Sequence, residues 1–158
     1  MDDGPMSASV AVARRRTLVD GRQAYFAEGG SGLPVVFLHG WGLGHRAYGR
    51  VLEEVASGCH VYAPSLPGFG GTADLPYGRR TIEGYATWVR SFLDTLDVEG
   101  PVVLVGHSFG GGVAIRAAHD APSRVRCLVL VNSVGGSTWY STPEGAVRQA
   151  ERPLWQVT

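Results

Sequence analysis

Ser108 is the residue best placed to do covalent chemistry. It stands in Gly106-His107-Ser108-Phe109-Gly110, directly after an apolar run over residues 102–105 and at the start of a helical pattern. A serine hydroxyl is a weak nucleophile until position and a base activate it. A sharp strand-to-helix turn supplies the position: it thrusts Oγ outward, and Gly106 and Gly110 remove the Cβ atoms that would collide across it. The amide of Phe109 then opens the next helix, where backbone donors are unpaired and the dipole favours an anion. An oxyanion is expected to be held there. In a chain with 23 glycines the bare Gly-x-Ser-x-Gly pattern is a loose match, so its strand-to-helix setting carries the expectation.

A second glycine-rich segment, His39-Gly40-Trp41-Gly42, follows the apolar run over 34–38. In an open parallel sheet, ligands bind beyond the carboxyl ends of the strands, so this loop and the Ser108 turn are expected on one rim. The backbone N–H of Trp41 is the expected second oxyanion donor. His39, Gly40, Gly42, Gly106, His107 and Gly110 are expected to support the site; a lone histidine such as His39 reads most simply as structural.

These segments need an alternating framework to hold them. Residues 17–19 and 23–26 flank Asp20-Gly21, which supplies the positive φ of a tight hairpin turn. Structure is expected to begin near Arg16. Strands then follow over 34–38, 60–64, 102–105 and 125–131, separated by helical stretches over 46–57, 81–97 and from Ser108 to Pro122. The clearest helix carries Ile82, Tyr85, Ala86, Val89, Leu93 and Leu96 on one face with Thr81 as N-cap. Strands that are apolar throughout, rather than at every second residue, imply a mainly parallel sheet covered by helices on both faces, an α/β fold of about six strands. The run over 125–131 is expected to be buried on both faces.

With 158 residues, 44% of them apolar and 18% charged, the chain reads as one globular domain. The 14 basic and 14 acidic residues balance to a net charge of zero, which excludes the positive field that gathers nucleic acid or an anionic membrane surface. Arg14-Arg15-Arg16 reads as a solvated strand edge. Cys59 and Cys127 stand in no metal-ligand spacing and are expected as buried, reduced thiols; a cytoplasmic setting fits them. No metal or organic cofactor is implied, and no segment reads as a signal or membrane span.

Taken in order, His39-Gly40-Trp41-Gly42, Ser65-Leu66-Pro67-Gly68-Phe69-Gly70 and the Ser108 turn resemble the α/β-hydrolase family over residues 17–134. The resemblance implies hydrolysis of an ester or related acyl bond in a small-molecule substrate. It implies Ser108 as nucleophile and the Trp41 and Phe109 amides as the oxyanion hole. The pairing of His-Gly-Trp-Gly-Leu with Leu-Pro-Gly-Phe-Gly is similar to carboxylesterases acting on acyl methyl esters, including those serving biotin synthesis. Serine at 108 sets the chain apart from the epoxide hydrolase and haloalkane dehalogenase branches, which place an aspartate there. The peroxidase-like and carbon–carbon bond hydrolase branches, which also use serine, remain open.

The same resemblance implies a cap, two more strands, an acid and a histidine after the sixth strand, and this sequence holds no match for the acid or the histidine. His39, His45, His60 and His107 precede Ser108, whereas the family order is serine, acid, histidine. His119 lies about three turns along the same helix as Ser108. Asn132 and Ser133 occupy the place where some relatives carry the acid. Residues 1–15 are therefore expected as a flexible leader and 16–134 as the amino-terminal part of a hydrolase core without its carboxy-terminal strands. Residues 135–158 are expected as the start of a cap, with Trp139, Tyr140 and Trp155 at a pocket entrance or in packing. Such a fragment is expected to be nearly inert alone. The competing expectation is a non-catalytic module that binds a small ligand or a partner. A third is complementation by a second polypeptide, or self-association, through an exposed sheet edge.

Overall fold

In the computed structural model, residues 10–135 are described. The first two strands, β1 (Ala13–Val19) and β2 (Arg22–Gly29), form an antiparallel hairpin. Its turn residues Asp20 and Gly21 have φ of 50° and 74°, the pair of positive torsions that a type I′ turn requires. The strand starts at Ala13, earlier than the residue-16 start read from the sequence, because Ala13 pairs with Glu28 across the hairpin. Arg14, Arg15 and Arg16 lie exposed along it, and Arg15 Nε is 2.6 Å from a Glu28 carboxylate oxygen.

Strands β3 (Pro34–Leu38), β4 (His60–Pro64), β5 (Val102–His107) and β6 (Val125–Val131) complete a six-stranded sheet in the order β1-β2-β4-β3-β5-β6. The β2–β4 ladder is antiparallel, whereas β4–β3, β3–β5 and β5–β6 are parallel. The connections carry α1 (Gly49–Ala56), α2 (Ile82–Thr95) and α3 (Phe109–Asp120). The helical stretch read over 46–57 divides into a 3-10 turn, His45–Tyr48, followed by α1. At the start of α2, Thr81 Oγ1 accepts a hydrogen bond from the Gly84 amide at 3.2 Å, the cap its position predicted.

Helices on both faces explain the apolar runs. On β3, Val36 and Leu38 pack into the core under α2 and α3, while Val35 and Phe37 pack into the second core under α1 with Leu52 and Ala56. On β5, Val102 and Leu104 join the first core and Val103 and Val105 border the second. Alternate side chains point to opposite faces of a strand, so a strand covered on both sides must be apolar at every position.

Strand β6 forms where expected but is not buried on both faces. Val129, Leu130 and Val131 are 41%, 40% and 43% exposed. Among the described residues, β6 is the last strand of the sheet and pairs with β5 along one edge only. Cys127 on this strand is exposed and Cys59 is half-buried, so the expectation of two buried thiols is corrected; both are free. Expectations for residues 1–9 and 136–158, including Trp139, Tyr140 and Trp155, lie outside the described residues. Among the described residues no helix is long and apolar enough to cross a membrane.

Candidate active site

The parallel ladder between β3 and β5 ends at the pair Leu38 and Gly106, which brings the carboxyl ends of both strands side by side. Beyond it, β3 runs into the His39-Gly40-Trp41-Gly42 loop and β5 into the turn at Ser108. Ser108 has φ 51° and ψ −117°, a conformation that a side-chain-bearing residue rarely adopts and that costs about 1–3 kcal/mol. Surrounding hydrogen bonds hold it there. The Ser108 amide donates to the Val131 carbonyl at 3.0 Å, and the Ser108 carbonyl accepts from the amides of Gly111 and Val134, each at 3.0 Å. The residue is half-buried, and its hydroxyl makes no capping bond to α3.

Two glycines permit this turn. A Cβ on Gly106 would stand 2.5 Å from Gly111 Cα and 2.6 Å from the Gly110 carbonyl oxygen. On Gly110 it would strike the carbonyl oxygens of Leu38 and His39, the latter at 2.6 Å. All of these are backbone atoms, so no side chain can swing aside. The first turn of α3 therefore sits directly on the end of β3, which places the amide of Phe109 beside the His39 loop. Gly110→Ala is expected to lower stability by about 3 kcal/mol, the upper range for overpacking. Urea unfolding measures it, and a loss below about 1 kcal/mol would show that the approach is looser than described.

The loop is braced by a histidine whose two ring nitrogens are both engaged. His39 is fully buried; the Leu66 amide donates to its Nε2 at 2.8 Å, so Nδ1 carries the proton and donates to the Gly40 carbonyl at 2.8 Å. The Leu43 amide donates to the same carbonyl at 3.2 Å. In a trans peptide the C=O and N–H point in opposite directions, so pinning the Gly40 oxygen turns the Trp41 N–H the other way. That amide has no backbone acceptor among the described residues. The ring of Trp41 is 66% exposed and meets Phe69 and Phe109 edge-on at 5.0 and 5.1 Å. Phe109 in turn meets Tyr85 at 5.1 Å, anchoring the turn in the core.

His45 forms a second buried brace. Its amide donates to Ser65 Oγ at 3.2 Å and its Nδ1 lies 2.8 Å from the same oxygen. Burial holds both His39 and His45 below the ordinary imidazole pKa, and the nearby Arg46 and Arg14 charges push His45 the same way. In the unfolded chain both rings protonate near about pH 6.5. As pH falls through that value the unfolded state binds protons that the native state refuses. Stability is therefore full above the ordinary imidazole range and declines as pH falls through it. Urea midpoints at two pH values test this, His39→Gln should flatten the decline, and a flat wild-type profile would contradict it.

The remaining histidines are placed elsewhere. His60 opens β4, at the end of the sheet opposite Ser108, and its Nε2 is 3.0 Å from Glu28. His119 lies in the last turn of α3 beside Asp120. His107 Nδ1 is engaged by the hydroxyl of Tyr48 at 2.8 Å, a partner the sequence did not disclose. Asn132 follows β6 with φ 43°, and the Ser133 hydroxyl donates to the Val134 carbonyl at 2.7 Å. Neither is an acid.

The sheet is mixed and mostly parallel, and a strained serine stands at the carboxyl end of β5, beside the end of β3. Residues 34–158 match the α/β-hydrolase fold family, and the chain belongs to it. It is 38% identical over 129 residues to a 2-hydroxymuconate semialdehyde hydrolase from Pseudomonas sp. (strain CF600), covering 78% of this chain and 44% of that protein. Among solved structures, a thermophilic esterase from Thermogutta terrifontis superposes with a TM-score of 0.69 at 30% identity, covering 84% of this chain and 48% of that one. The epoxide hydrolase CorEH superposes at 0.73 with 27% identity over 82% and 47%. The chain thus spans a little under half the length of these relatives.

Proposed function

We propose that the chain carries the nucleophile and oxyanion hole of a serine hydrolase acting on an ester or related acyl bond. Ser108 Oγ attacks the carbonyl carbon, and its proton passes to a histidine outside this sequence. The amides of Trp41 and Phe109 hold the negative charge that develops on the carbonyl oxygen. Collapse of the tetrahedral intermediate expels the alcohol, and water then releases the acyl group from Ser108. The observation that carries this reading is the Ser108 backbone, held at φ 51° at the start of a helix whose first turn no side chain caps. Strain maintained by surrounding bonds at such a turn is a mark of function.

The base is placed outside the chain because each of its five histidines has another setting: two are buried braces, one is bound to Tyr48, and two lie away from the turn. Among the described residues β6 is paired on one side only, and its other edge is where the polypeptide, or the second copy, that completes the site would pair. Cleavage of a carbon–carbon bond beside a carbonyl is a second reading, favoured by the likeness to a semialdehyde hydrolase; it begins with the same attack. A non-catalytic binding module would leave Ser108 inert. Fluorophosphonate treatment in imidazole buffer, with imidazole as the proton acceptor, is expected to give one adduct, which peptide mass spectrometry locates on Ser108. Ser108 left unmodified both here and in the chain joined to a carboxy-terminal half carrying an acid and a histidine would overturn the serine reading.

A further inference from the structure

Tyr48 belongs to none of the sequence motifs, yet its hydroxyl touches both halves of the site. It ends the 3-10 turn His45–Tyr48 and packs its ring on Phe37 at 4.6 Å between centroids. Its oxygen lies 3.2 Å from the Gly40 amide and 2.8 Å from His107 Nδ1. An amide N–H can only donate, so the phenol oxygen accepts from Gly40. Toward His107 the hydroxyl donates to Nδ1 in one imidazole tautomer and accepts from Nδ1–H in the other, and in both a single oxygen ties Gly40 to His107.

The place of this link matters more than its strength. The β3–β5 ladder stops at Leu38 and Gly106, so no backbone bond of that ladder joins the two segments beyond it. Gly40 directly precedes Trp41, and His107 directly precedes Ser108. The segments also touch, since a Cβ on Gly40 would stand 3.1 Å from His107 Nδ1 and 3.3 Å from Ser108 Cβ. We propose that Tyr48 is a positioning residue, whose hydroxyl replaces the missing rung of the sheet and fixes the spacing between the Trp41 amide and Ser108 Oγ. This rests on the serine reading above. Oxyanion stabilisation depends on donors lying within hydrogen-bond distance of the developing charge, and a displacement near 1 Å costs on the order of 10²-fold.

The experiment compares the 158-residue chain with its Tyr48→Phe and Phe37→Leu variants. The first removes only the oxygen; the second disturbs the packing under the ring and leaves the oxygen in place. With Tyr48→Phe, the ¹⁵N resonances of His107 are expected to shift, the Gly40 amide to exchange about tenfold faster, and the Trp41 amide to shift. The rate of fluorophosphonate labelling at Ser108 in imidazole buffer should fall about tenfold or more, with half-saturation unchanged. Phe37→Leu should lower the unfolding midpoint and leave those resonances in place. Unmoved resonances in Tyr48→Phe, equal movement in Phe37→Leu, or moved resonances with full labelling would each overturn the positioning role. Absence of labelling in the wild type, both alone and in the joined chain, removes the serine reading and this role with it; full labelling in Tyr48→Phe removes this role alone.

Discussion

Ser108→Ala, in a form of the protein supplied with its acid and histidine, is expected to lower kcat by on the order of 10⁶ and to leave KM nearly unchanged. The size of the effect follows from what the hydroxyl does. In the proposed reaction it forms the acyl intermediate, and the flanking glycines offer no group to replace it. The small change in KM follows from what remains: the strained backbone, the Trp41 and Phe109 amides and the aromatic surface of Trp41, Phe69 and Phe109 do not depend on Oγ. Residual catalysis of roughly 10³ to 10⁴ over water is what an oxyanion hole and binding alone provide. Initial rates on p-nitrophenyl acetate give both constants. Turnover retained within tenfold of the parent would remove Ser108 from its role.

The second large effect concerns the proton. Joining this chain to the carboxy-terminal half of the Pseudomonas hydrolase, which the family resemblance expects to carry the acid and histidine, should raise p-nitrophenyl ester turnover by about 10⁴-fold or more. His39 cannot take the role, because both its nitrogens are bound in the neutral ring that holds the Gly40 carbonyl. Equal turnover by the chain alone and by the chimera would mean that a base is already present and that the assignment of the five histidines is wrong. Replacement of the histidine in the added half should return the chimera to the level of the chain alone.

The fold was legible in the sequence wherever burial on two faces forced unbroken apolar runs. Positions 34–38 and 60–64 gave two strands at their observed bounds, and Asp20-Gly21 announced its turn through the torsions only such a pair adopts readily. Position 125–131 misled in part, because an apolar run reports the capacity to be buried and not what stands beside it in the sheet. Cys127 misled for the same reason. The turn around Ser108 was legible where main-chain atoms leave no room for a Cβ, at Gly106 and Gly110. His39 could be read as structural, but its tautomer needed Leu66, a partner brought in from the end of β4. Tyr48 left no sequence signal at all: it falls in a stretch that reads as helix, and its importance arises only where two strands part.

The turn at Ser108 also bears on how such a scaffold can change its chemistry. The positions around it that carry no functional group, Gly106 and Gly110, are fixed by main-chain atoms that cannot retreat, while the side chain at 108 projects from a bend maintained by amides and carbonyls alone. Exchanging the side chain at this one site would therefore disturb little of the architecture, whereas a single methyl on either flank would press on main chain that cannot move aside. Inheritance in this lineage is expected to conserve the empty places more strictly than the occupied one.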